Sequence, residues 1–166
     1  MKKFIAICFV LVLLSGCTSQ ETFEEIKDVW TPETPEMQEI SLSLPDNVSM
    51  EVMEHDNSGK LYLCDDYTIS LHTTASGDLD KTLREVTGFS KDNLQVMETR
   101  LGTLKRYDCV WSAAGEGNDQ IGRVSVLDDG NYHYVLTAIG DAAATKELNA
   151  VWQKIFHSFA LKDTAG

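Results

Sequence analysis

Four histidines and two pairs of adjacent carboxylates are the residues of this chain best suited to chemistry. His55, His72, His133 and His157 are scattered, whereas zinc sites hold their ligands at short spacing, so that one helical turn or one hairpin presents two donors to one ion. No His-x-His, His-Glu-x-x-His or Cys-x-x-Cys occurs, and no metal site is expected. His157 reads as a cation in the last turn of a helix and His55 as a turn residue. Asp65-Asp66 and Asp128-Asp129 carry oxygens of the kind calcium takes. The EF-hand spacing is missing, however, and Asp-Gly turns arise for backbone reasons alone, so both pairs read first as hairpin tips. There is no Gly-x-Ser-x-Gly elbow and no Ser-x-x-Lys, and Gly115-Glu116-Gly117 is flanked by acids that repel phosphate. The expectation is a protein that is not an enzyme and takes no cofactor.

Charge narrows the partners. The 166 residues hold 26 acids against 14 bases, a formal net charge of −12. A nucleic-acid-binding domain needs a basic face to neutralise phosphates, and none is visible. Adhesion to an anionic lipid surface by charge alone is excluded on the same ground.

Membrane attachment has another route. Lys2 and Lys3 precede eleven mostly aliphatic residues, Phe4 to Leu14, and then Ser15-Gly16-Cys17. A basic start, a short apolar run and a small-residue boundary describe a secretory signal peptide. The run is too short to span a bilayer, which takes about 20 residues. Leu14-Ser15-Gly16-Cys17 resembles the lipobox of bacterial lipoproteins. That resemblance implies a signal peptide over residues 1–16, lipidation of Cys17, and a protein anchored by lipid on the extracytoplasmic face of a bacterial cell membrane. Cys8 then leaves with the signal peptide and Cys64 and Cys109 remain. Outside the membrane such a pair is open to a disulfide, and equally to two buried thiols packed as small hydrophobes.

Residues 17–39 read as a tether. From residue 18 they hold seven acids against Lys27 and include Pro32 and Pro35, a composition that stays extended and away from a core. Thr22-Phe23-Glu24-Glu25 fits a capping box ahead of Ile26, Val29 and Trp30, so a short docking helix and an unstructured spacer are both open.

From residue 40 to 166 the pattern is that of one α+β domain. Apolar alternation marks strands over 40–44, 50–55, 60–64, 67–73, 94–101, 104–114, 121–127 and 132–139, joined mostly by hairpin-length turns. Such connections make the sheet mainly antiparallel, with about six or seven strands. One helix is predicted from the Asp78 cap through Leu79, Leu83 and Val86 to Gly88. A second runs from the Asp141 cap through Ala144, Leu148, Val151, Trp152 and Ile155. Trp111, Tyr132, Tyr134 and Trp152 suit a binding surface, but read first as core.

The Tyr132-His133-Tyr134-Val135-Leu136 strand, the following helix, and Trp152-Gln153-Lys154-Ile155-Phe156-His157-Ser158-Phe159 resemble the PsbP/Mog1-like α/β/α sandwich. The resemblance covers roughly residues 40–161 and implies a sheet flanked by two helices. In that fold family the known work is non-enzymatic: one branch binds a small GTPase, another assists photosystem II. No functional motif of either branch matches here position by position, so neither role is carried over. The function expected is a non-catalytic lipoprotein module that binds a protein or cell-envelope partner. Its contact surface is expected on the late hairpin, with Asp128, Asp129 and Asn131 at the tip. The alternative is a lipoprotein that captures a small ligand or a divalent cation through its acidic turns.

Overall fold

The computed structural model describes residues 33–46, 48–52, 59–115 and 117–162. The signal peptide, Cys17, the 22–30 helix and His55 lie outside them. A compact unit begins at Pro35, five residues before the expected start of the domain at residue 40.

Seven strands form one antiparallel sheet and two more form a small separate ladder. In chain order they are β1 (Ile40–Ser41), β2 (Ser49–Val52), β3 (Gly59–Leu63), β4 (Tyr67–Ala75), α1 (Leu79–Thr87), β5 (Met97–Leu101), β6 (Leu104–Ala113), β7 (Gln120–Asp128), β8 (Tyr132–Asp141), α2 (Thr145–Ser158) and β9 (Ala160–Leu161). The large sheet runs β2-β3-β4-β8-β7-β6-β5. The late β7–β8 hairpin therefore sits inside the sheet, because β4 crosses over to pair with β8 along its length.

Strand side chains alternate between faces, and each face meets one helix. On one side α2 packs Leu148, Trp152, Ile155 and Phe156 onto Ile69, Leu71, Tyr134, Leu136 and Ala138, all buried. Tyr67 meets the Trp152 ring edge-on at 6.1 Å. On the other side α1 packs Leu83 against Tyr107, Cys109, Val124, Val126 and Val135, with Leu79 and Val86 at the margin.

Both helices begin where their sequences direct. Asp78 accepts a hydrogen bond from the Asp80 N–H, and Gly88 closes α1 in the left-handed conformation at φ 78°. Asp141 caps one short 3-10 turn, Ala142–Ala144, and α2 follows from it. Two expected strands are shorter. Residues 91–93 form a 3-10 turn, and Leu94 and Val96 tuck against the α1 cluster, so β5 starts only at Met97. Of residues 40–44 only Ile40 and Ser41 form a ladder, with β9.

The segment from Pro35 to Leu44 is a strap laid on the α2 side. The Gln38 N–H donates to the Tyr134 hydroxyl at 2.9 Å, Tyr132 donates to the Pro35 carbonyl at 2.6 Å, and the Ser43 N–H donates to Ser158 Oγ at 2.9 Å.

Candidate interaction surface

The acidic hairpin tip is not the open surface expected of it. Asp128 is only 8% exposed. Its carboxylate accepts from Ser76 Oγ at 3.0 Å and from the Gly130 N–H at 2.9 Å, and Lys105 Nζ lies 3.8 Å away. Asp129 accepts from the Asn131 and Tyr132 N–H groups at 2.8 and 2.7 Å, from the Tyr134 hydroxyl at 3.0 Å and from Gln38 Nε2 at 3.2 Å. Burial works against its charge, but these donors outweigh that and hold its carboxyl below the usual range. Both carboxylates are consumed in closing the turn and clamping the strap. Asn131 is exposed but stands alone. Of the residues expected to form the binding surface, Asp128 is thus buried, Asp129 partly buried and Asn131 exposed.

The three described histidines do not converge. His133 is buried, its Nδ1 shares a 2.9 Å hydrogen bond with Thr82 Oγ1, and its Nε2 lies 3.9 Å from Asp128. Burial pushes its pKa down, partly offset by Asp128 and Asp129. His72 is likewise pushed down by burial, and His157 is exposed in the last turn of α2. Among the described residues no three His, Cys, Asp or Glu side chains are placed to hold a metal ion. At the opposite end of the sheet, Asp65, Asp66, Asp119 and Asp141 border a shallow cleft. Asp141 is engaged there by the Ala143 N–H and by Asn118 Nδ2.

Cys64 packs against the α2 cluster and Cys109 lies within the α1 cluster. The two thiols are free, on opposite faces of the sheet. The bridge weighed from the sequence does not form, because a disulfide needs its Cα atoms within about 7 Å on converging side chains. Burial pushes the Cys109 thiol up to about 11, with nearby Asp108 adding to it, so it packs as a hydrophobe and is a poor nucleophile.

The open surface lies elsewhere, on the α2 side of the β5–β6 hairpin. Helix α2 covers the β3-β4-β8 half of the sheet and ends beside β7, where Arg123 stacks over the Phe156 ring at 4.5 Å. Beyond that point no element among the described residues covers the face. Met97, Leu101 and Val110 are 64, 61 and 56% exposed. The register puts all three on this side, with Met97 opposite Asp108 and Leu101 opposite Leu104. A groove of about 670 Å³ runs between Leu94–Met97 and Val110, floored by Asp108 and Arg123.

The groove is rigid on its polar side. Arg106 grips Asp108 through two contacts of 2.9 and 3.3 Å and donates to the Phe156 and Phe159 carbonyls at 2.8 and 3.2 Å. A guanidinium thus neutralises the carbonyl end of α2 and ties it to β6. On the reverse face Trp111 lies over Gly122, where any Cβ would meet its ring at 2.2 Å; glycine is required there for the indole to close the α1 side.

An apolar face with a fixed charged floor and no nucleophile or metal ligand set is suited to binding a partner. Sequence reasoning missed it. The signal was the alternation of Met97, Thr99 and Leu101 with Glu98 and Arg100, which marks a two-faced strand but not which face lacks a cover.

No family model and no curated protein sequence matches the chain. Solved structures do. The Mycobacterium tuberculosis protein LpqN, described as involved in cell envelope biogenesis, matches at 18% identity and TM-score 0.52, over 77% of this chain and 86% of LpqN. The Saccharomyces cerevisiae Ran-binding protein Mog1p matches at 12% identity and TM-score 0.50, over 76% of this chain and 92% of Mog1p. At such identities the likeness is one of architecture, and the architecture of this chain is the Mog1-like α+β sandwich.

Proposed function

We propose that the chain is a lipoprotein, anchored through Cys17 on the extracytoplasmic face of a bacterial membrane, whose domain binds a protein or cell-envelope partner and performs no chemistry. One observation carries the binding reading: Met97 and Val110 lie exposed beside the Asp108–Arg123 floor, with Leu101 exposed further along the same face, which α2 leaves bare. Monomeric soluble proteins seldom expose grouped large apolar side chains without use for them. The lipobox-like Leu14 to Cys17 supports the anchor. The fold is shared with one protein described in cell-envelope biogenesis and with another described as binding Ran, which supports a role in association.

The partner is expected to present an apolar segment to Val110 and Met97 and polar groups to Arg123. Binding should then change little between low and moderate salt, since buried apolar contact is not screened. The test is cross-linking of the full chain in native membranes, beside Val110→Glu and Met97→Glu forms. A specific adduct that both substitutions abolish, with thermal stability retained, supports the reading. An adduct indifferent to both substitutions removes this face from consideration. A melting temperature raised by calcium or magnesium favours the cation-binding alternative instead. For the anchor, Cys17→Ala should leave an unprocessed precursor or release the protein from the membrane fraction, and unchanged lipid labelling in that form would end the lipoprotein reading.

A further inference from the structure

Strand β5 ends the large sheet, and its five residues are exposed throughout. A bare edge strand offers unpaired N–H and C=O groups to another strand. Which groups these are follows from the hairpin. Only Gly102 and Thr103 separate Leu101 from Leu104, and in a two-residue hairpin the closing pair exchanges its hydrogen bonds. Inward-facing backbone then alternates from Leu101 to Thr99 and Met97. The N–H and C=O groups of Glu98 and Arg100 point outward, away from β6.

The sequence of this edge, Met97-Glu98-Thr99-Arg100-Leu101, is complementary to its own reverse. From this we infer that β5 pairs antiparallel with β5 of a second copy, about a twofold axis through Thr99, joining two seven-stranded sheets into one. Glu98 then faces Arg100 of the partner copy and Arg100 faces its Glu98. These are the residues whose backbone groups point outward, so four interchain hydrogen bonds close on two pairs of opposite charge. Met97 meets Leu101 of the partner copy on the α2 side, and the two Thr99 residues meet at the axis. Within one chain Arg100 Nε already holds Glu98 Oε1 at 2.9 Å, so both side chains stand on the α1 side, where the partner copy's charges arrive. A second copy answers this edge better than an unrelated strand does, because any other register sets charge against apolar side chains or like against like. A twofold axis normal to the sheet keeps α2 of both copies on one side, so the two Arg123 grooves lie side by side on the joint sheet.

So small an interface belongs to the transient class, and it is best read at high concentration on the full chain in detergent. Sedimentation should show reversible dimers. Glu98→Arg alone and Arg100→Glu alone each set like charges opposite one another and should weaken dimerisation by roughly ten-fold or more. Mixed in equal amounts, the two substituted chains should pair with each other, since each supplies the charges the other lacks; a purely intrachain Glu98–Arg100 contact does not produce that rescue. Thr99→Cys should form an interchain disulfide under mild oxidation, because facing residues of a non-hydrogen-bonded pair lie about 4.5 Å apart. Lys81→Cys, on the exposed side of α1, should not. A full chain that stays monomeric, single substitutions without effect, a mixture that fails to pair, or a Thr99→Cys form that links no faster than Lys81→Cys would each overturn the inference.

Discussion

The β5–β6 and β7–β8 hairpins look alike as sequence. Each has a short turn, alternating arms and charges near its tip. In the molecule they are opposites. The β7–β8 hairpin lies inside the sheet with helices on both faces, and its acids are spent on internal hydrogen bonds. The β5–β6 hairpin ends the sheet, and among the described residues nothing pairs with its outer edge or covers its apolar face. Availability for recognition is thus set by a strand's position in the sheet order, not by the polarity of its turn.

The contrast breaks most sharply in the covered half. Trp152→Ala removes a ring that is 1% exposed and should cost about 3–5 kcal/mol in denaturant unfolding. Asp129→Asn exchanges an acceptor held by four donors for a neutral amide, and should cost about 1–3 kcal/mol. If its melting temperature stays unchanged, the tip is a free surface after all.

Acid should act on the same half. His72 and His133 have folded pKa values below their ordinary 6.5, so the unfolded chain binds protons first. Their contribution is intact above pH 6.5 and drains away as pH falls through the lowered folded values. Asp129, lowered from 3.8, follows the same sign in a more acidic window. A melting-temperature series from pH 7.5 to 5 should slope downward, and His133→Gln should flatten it. The smallest effect belongs to the open half: Val110→Ser and Met97→Ser should shift stability by no more than about 0.5 kcal/mol. A larger loss in either would mean that the bare face is part of the core.

Local rules carried most of the fold. Asp78 and Gly88 bound the first helix, Asp141 sits one 3-10 turn before the second, and the strands from Lys60 onward follow apolar alternation closely. Strand order was not legible, because it depends on β4 reaching over to β8, a pairing between residues some 65 apart. Without the order, Asp128 and Asp129 look like a protruding tip, and nothing tells whether Cys64 and Cys109 share a face or which side of Met97 and Leu101 lacks a cover. The strap was missed for a related reason: Pro35 and Gln38 carry no core signature and are held only by hydroxyls and a carboxylate from distant strands.

That strap has a mechanical meaning. The chain enters the domain through Pro35 to Leu44, fastened by hydroxyl contacts, the Gln38–Asp129 hydrogen bond, a two-residue ladder beside the Glu39–Lys162 ion pair, and the packing of Ile40, Leu42 and Leu44 on the α2 cluster. The sheet beneath loads in long ladders and resists. A domain gripped on its β5 side and pulled through residue 35 would shed the strap before the sheet yields, freeing ten residues whose full extension is about 33 Å at roughly 3.3 Å per residue. Ten residues held without a long ladder would thus give the protein slack under force, recovered at rest.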